Sequence, residues 1–204
     1  MKLYMAVASP FVRKVLVLAH EGGVLDRIEL VPVAVSPVAP DPDLSAHNPL
    51  GKIPALLLDD GTTLFDSRVI SQYVDAELCG GRFLPAGGSD RYTALRRQAQ
   101  ADGLMDAAIL VRYETFLRPA EKLWPEWEDG QKAKISRNLD ALEGEAAAGS
   151  LAGPFDLGRI AIACALGYLD FRFAAWPWRP ERPALAHWYA GIEAQPSMVE
   201  TKPG

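Results

Sequence analysis

The chain has 204 residues, 49% of them apolar and 23% charged, a balance that suits one large or two small globular domains. Its 21 Lys and Arg against 26 Asp and Glu leave a formal net charge of −5, which argues against nucleic-acid binding through bulk charge. The longest apolar runs, such as Ile160 to Leu166, fall far short of a bilayer span, and the opening segment lacks the pattern of a secretory leader; no membrane association and a cytoplasmic location are expected.

Lys2–Val7 reads as a strand and Pro10–His20 as a helix, with Phe11, Val15, Leu18 and Ala19 on one face. Ser9 is a good N-cap, Pro10 a good first-turn residue, and Gly22-Gly23 a helix stop. Ile28–Val33, rich in β-branched residues, is a second strand. From Ala34 to Leu50, Pro37, Pro40, Pro42 and Pro49 remove backbone donors, so a loop is expected with at most a short helix near Leu44-Ser45-Ala46.

Ile53–Leu58 and Thr62–Phe65 flank Asp59-Asp60-Gly61, a hairpin signal. Asp66 then stands as N-cap of a helix carrying Val69, Ile70, Tyr73 and Val74. A Gly- and Pro-rich stretch over 78–90 reads as a linker. Beyond it strand signals fade, and Asp90–Leu117, Gly130–Ala148, Asp156–Ala174 and Ala184–Ala194 read as helices. The fold expected is a small α/β domain followed by an all-α one.

Cys79 and Cys164 have no CxxC spacing, and His20, His47 and His187 are scattered, so no metal site is expected. Chemistry concentrates in three segments. Ser9 opens a helix, whose N-terminus offers free N–H groups. In Asn48-Pro49-Leu50-Gly51-Lys52-Ile53-Pro54, proline marks the start of a strand, and a cis Ile53–Pro54 bond would leave the Ile53 amide and carbonyl free to pair with an extended peptide. In Phe65-Asp66-Ser67, a carboxylate and a hydroxyl at a strand-to-helix turn suit an amino-acid head group. Each segment taken alone is also an ordinary cap or turn.

In this order and spacing the three segments resemble the cytosolic glutathione S-transferase superfamily, and within it the bacterial YibF-type glutathione S-transferase-like proteins, which share the SPFVRK opening, NPLGK-P and a helix like IAIACALGYLDFR. The resemblance covers nearly the whole chain. It implies a thioredoxin-like glutathione-binding domain over 1–77, a linker over 78–90 and a helical domain over 91–204. Ser9 would face the glutathione sulfur. Ile53 would pair with the cysteinyl backbone, Asp66 and Ser67 would hold the γ-glutamyl group, and Lys52 the glycine carboxylate. Asp102 would approach the γ-glutamyl ammonium across a homodimer interface.

Under the resemblance the activity is attack of glutathione thiolate on a hydrophobic electrophilic small molecule, with Ser9 stabilising the thiolate, a role in detoxification. Met105, Ile109, Arg112 and Tyr113 on one helix would line the co-substrate pocket between the domains; a helical apolar stripe is also ordinary core. Two departures stand out. Asp66 occupies a position where many relatives have Glu, one methylene longer. The late helix begins Asp156-Leu157-Gly158-Arg159 instead of Ser/Thr-x-x-Asp, so Arg159 cannot accept the reciprocal hydrogen bond of a capping box, while Asp156 still caps and Phe155 packs on Ile160. Serine in place of cysteine at position 9 cannot form a mixed disulfide with glutathione, which disfavours a thiol transferase based on a protein cysteine. Two alternatives remain: a glutathione-binding or interaction module with little turnover, and disulfide reduction using two bound glutathiones.

Overall fold

A computed structural model describes residues 1–203. Strand β1 (Lys2–Met5) lies inside a four-stranded sheet of order β2-β1-β3-β4. It pairs in parallel with β2 (Glu29–Pro32), Leu3 opposite Leu30, and antiparallel with β3 (Ala55–Leu57), Leu3 opposite Leu56. β4 (Thr63–Leu64) closes the hairpin against β3. As an inner strand, β1 buries Leu3, Tyr4 and Met5 on both faces. β2 is an edge strand with Leu30 partly exposed, which is why Pro32 is tolerated there despite its missing N–H.

Helix α1 (Pro10–Gly22) joins β1 to β2 and buries Val12, Val15, Leu16 and Leu18. Gly23 ends it at φ 67°, its N–H donating to the Ala19 and His20 carbonyls, the left-handed stop that glycine permits without strain. The proline-rich segment contains one short helix, α2 (Pro42–His47), capped by Asp41, whose carboxylate accepts the Leu44 amide at 2.9 Å. Leu44 from α2 packs with Tyr4 and Ala55 over one face of the sheet. Helix α3 (Ser67–Tyr73) runs into a wider turn over Val74–Leu78.

The stretch after that turn is irregular but held in place. The buried Asp75 carboxylate accepts the Phe83 and Leu84 amides at 2.8 and 2.9 Å, and the Arg82 guanidinium donates to the Glu21 carbonyl. Two compact units make up the chain. The first runs from Met1 to Leu95 and also takes in the chain from Pro196 onward; the second is Arg96–Gln195. The return of the C-terminal segment is not evident from its composition. Helix α8 (Pro196–Glu200) is pinned to α1, where Arg13 donates to the Met198 carbonyl at 2.7 Å and His20 meets Glu200 at 3.1 Å.

Helix α4 (Gly88–Leu117) begins in the first unit and continues into the second. The second unit adds α5 (Pro125–Ala147), α6 (Leu157–Arg172) and α7 (Pro183–Glu193). Residues Leu157–Leu169 of α6 are all buried, as an almost wholly apolar helix requires. Asp156 caps α6 by accepting the Arg159 amide at 2.9 Å. Arg159 replaces the reciprocal acceptor by a different arrangement: its guanidinium binds the same Asp156 carboxylate and reaches the Leu151 carbonyl at 2.8 Å. The entry loop is thereby organised by a donor instead of an acceptor. Helix α7 lacks a local side-chain cap, and Glu143 of α5 supplies one, accepting the Ala184 and Leu185 amides at 3.1 and 2.7 Å.

Candidate active site

Ser9 lies at the mouth of α1 in extended conformation, with φ −81° and ψ 121°. Its carbonyl accepts the Arg13 amide at 3.0 Å, the first helical bond, and its Oγ accepts the Val12 amide at 3.3 Å. The hydroxyl is therefore a cap acceptor, and its own proton remains to be donated. A helix N-terminus favours negative charge beside it. A side chain that accepts from the helix while offering O–H outward extends that preference to a thiolate.

The NPLGKIP segment is organised by Asn48, buried to 1% exposure. Its side-chain amide donates to the Lys52 carbonyl at 2.7 Å, and its Oδ1 accepts the Leu50 amide at 3.1 Å. Gly51 sits at φ 59°, a left-handed position that allows this tight turn. The Ile53–Pro54 bond is cis, as is Phe65–Asp66. Pairing between β3 and β1 begins at Ala55 opposite Tyr4, so the Ile53 amide and carbonyl lie outside the ladder. Lys52 is exposed next to it. The sequence assigns Asn48 no role of its own; the signal available was an Asn directly ahead of Pro49-Leu50-Gly51, where its side chain can serve the backbone of a turn.

Asp66 caps α3, its Oδ1 accepting the Arg68 amide at 2.9 Å while Oδ2 meets the Arg68 guanidinium at 3.0 Å. Partial burial pushes the Asp66 carboxyl up, but the Arg68 amide and guanidinium outweigh it and hold the group below the ordinary carboxylate value. It is thus an anion at neutral pH, though engaged by its own arginine. Ser67, buried to 3% exposure, opens the helix immediately after it. Ser9, Ile53, Asp66 and Ser67 all belong to the first unit, as does Lys52.

The remaining candidates belong to the second unit. Asp102 and Met105 are buried, Ile109 and Arg112 partly exposed, and Tyr113 exposed, so the stripe on α4 grades from core to surface along the helix. Among the described residues no group of three potential metal ligands occurs, and no helix is long and apolar enough to cross a membrane.

A parallel–antiparallel sheet with a proline-bounded hairpin, a serine-capped first helix and an all-helical second unit define the glutathione S-transferase fold. The family description "Glutathione S-transferase, N-terminal domain" matches residues 8–77, and "Glutathione S-transferase, C-terminal domain" matches 125–191. The chain belongs to the glutathione S-transferase family. It is 35% identical over 204 residues to the uncharacterized GST-like protein YibF of Escherichia coli (strain K12), covering 100% of this chain and 98% of that one. A glutathione transferase family member from Pseudomonas fluorescens Pf-5, solved with bound glutathione, superposes with a TM-score of 0.96 at 52% identity, covering 100% of this chain and 98% of that one. A second structure described as a family member from the same organism holds S-(propanoic acid)-glutathione; it matches with a TM-score of 0.92 at 51% identity, covering 100% and 99%.

Proposed function

We propose that this chain binds glutathione and transfers its thiolate to electrophilic small molecules, with Ser9 as the stabilising donor. The observation that carries the reading is the Ser9 hydroxyl at the head of α1, accepting from Val12 and left with a proton to donate. A free thiol has a pKa of about 8.5 and is mostly protonated at neutral pH. A hydroxyl hydrogen bond and a helix N-terminus both favour the anion, and each tenfold gain in acidity corresponds to about 1.36 kcal/mol of preferential stabilisation of the thiolate. Ser9 acts by stabilising charge; its O–H is far too weakly acidic and basic to serve as a general base.

In this reading Ile53 pairs with the cysteinyl part of glutathione through its unladdered backbone, and Asn48 positions that backbone. Asp66 and Ser67 receive the γ-glutamyl group and Lys52 the glycine carboxylate. The glutathione and S-(propanoic acid)-glutathione bound by the relatives support both the ligand and a thioether product. The protein works as a homodimer in the cytoplasm, in the disposal of reactive compounds.

Calorimetry with glutathione, combined with conjugation of a panel of electrophiles, tests this. Binding in the millimolar range or tighter and thioether formation are expected. No binding at millimolar glutathione overturns the reading; binding without turnover of any electrophile favours a glutathione-binding module instead.

A further inference from the structure

Helix α1 is gripped along one face by a segment from far along the sequence. Arg13 and His20 stand two helical turns apart on α1 and so share a face. Both meet the segment that begins at Pro196. Arg13 donates to the Met198 carbonyl at 2.7 Å and to the Thr201 hydroxyl at 3.3 Å, and His20 lies 3.1 Å from Glu200. All of these residues belong to the first unit. Arg13 is 5% exposed, and among the described residues its acceptors are uncharged. The Met198 carbonyl lies in the short helix α8, whose last carbonyls lack partners within the helix, so a buried guanidinium there satisfies itself and the helix end together. The Thr201 hydroxyl in turn donates to the Ser197 carbonyl at 2.7 Å, and Ser197 and Met198 are both buried.

Arg13 is also where the hydrogen bonding of α1 begins. Its amide donates to the Ser9 carbonyl at 3.0 Å, next to the Val12 amide that donates to the Ser9 Oγ at 3.3 Å. The first turn of a helix frays more readily than its middle. A buried side-chain bond from Arg13 opposes that fraying in the one turn that orients the Ser9 hydroxyl. A loosened turn spreads its donors over several directions and weakens the preference for an anion in front of them.

We propose that the segment from Pro196 is a clasp on α1, and that Arg13 is a positioning residue through which the clasp holds the Ser9 turn in the orientation that stabilises thiolate. The proposal rests on the transferase reading above. Arg13 acts through Ser9 and needs no contact with either reactant. The His20–Glu200 contact secures the far end of the same helix, so the clasp meets α1 in its first turns and again near its end.

The test uses the full chain. In Arg13→Gln the pKa of bound glutathione, followed by thiolate absorbance against pH, should rise. With it kcat should fall about fivefold, while KM for glutathione changes by less than about twofold. Arg13→Lys, with one donor in place of the fork, should recover part of both. Thr201→Val alters no charge and leaves Arg13 in place, so a smaller shift in the same direction separates the clasp from the loss of a positive charge on α1. Hydrogen exchange at the Val12 amide should quicken in Arg13→Gln and in Thr201→Val. A folded Arg13→Gln with the wild-type thiol pKa and kcat overturns the proposal. Should that variant fail to fold, Thr201→Val decides: unchanged Val12 exchange with an unchanged thiol pKa overturns it equally. Failure of glutathione to bind the wild-type chain refutes the transferase reading, a separate outcome, since Val12 exchange is measured without ligand and still reports whether the clasp holds the turn.

Discussion

The Ser9 hydroxyl oxygen accepts the amide of Val12 at 3.3 Å, so one side chain both starts α1 and stands at its electropositive end. Ser9→Ala removes the cap and the proposed thiolate donor together. The cap contribution is about 1 kcal/mol, to be read from urea unfolding. The donor contribution should appear separately, as a rise in the pKa of bound glutathione toward about 8.5, followed by thiolate absorbance against pH, and as a fall of about tenfold or more in kcat/KM. Ser9→Thr, which keeps the hydroxyl, should recover both. A loss of stability with no change in the thiol pKa would leave Ser9 a cap alone.

Asn48 ties the turn ahead of the cis bond by serving Lys52 and Leu50 at once. Asn48→Ala leaves one carbonyl and one amide without their partner and should cost about 1–3 kcal/mol in unfolding free energy. Because Ile53 follows directly, glutathione affinity measured by calorimetry should fall severalfold even at temperatures where the variant is fully folded. Unchanged affinity would confine Asn48 to stability.

Asp66 sets a pH dependence whose sign follows from its lowered pKa. The unfolded chain takes up this proton at a higher pH than the folded chain does. The stabilisation is therefore fully present above the ordinary value of 3.8 and is lost as pH falls through the lower folded value. NMR titration of the Asp66 carboxyl should give a midpoint below 3.8 in the wild type, moving upward in Arg68→Ala. A wild-type midpoint at or above the ordinary value contradicts the arrangement.

Asp75 fastens the irregular stretch after α3 through two amides, those of Phe83 and Leu84. Asp75→Ala strands both donors in the interior, and a loss of about 3 kcal/mol is expected in chemical unfolding. Asp75→Asn, which retains one acceptor oxygen, should lose less. Hydrogen exchange at Phe83 and Leu84 should speed up in both variants; unaltered exchange would show that these amides are held by something else.

The locally capped helix ends were legible along the chain, whereas α5, which has no side-chain cap, starts at Pro125, ahead of the expected Gly130. Ser9, Asp66 and Asp156 each accept an amide two or three residues ahead, and Gly23 closes α1 on carbonyls three and four residues back, so spacing alone carries the signal. The hairpin around Asp59-Asp60-Gly61 and the break at Pro54 were legible for the same reason, and the three short motifs in order pointed to the family. The resemblance carried the roles of Ser9, Ile53, Asp66 and Ser67; the structure supplies their local geometry.

What only the tertiary structure decided are the contacts that join distant positions. The composition of the last residues does not reveal that they return to α1, where Arg13 reaches Met198 across 185 positions. Glu143 caps a helix that begins some forty residues later, and Asp75 holds amides eight and nine residues on across an irregular turn. The sequence contains many arginines, and nothing in their spacing separates those that find a carboxylate from Arg112 and Arg172, which rest on the Phe116 and Phe171 rings. Caps and turns are set by backbone geometry within a few residues; the pairing of buried charges depends on which helices meet, and that is settled only when the apolar faces pack.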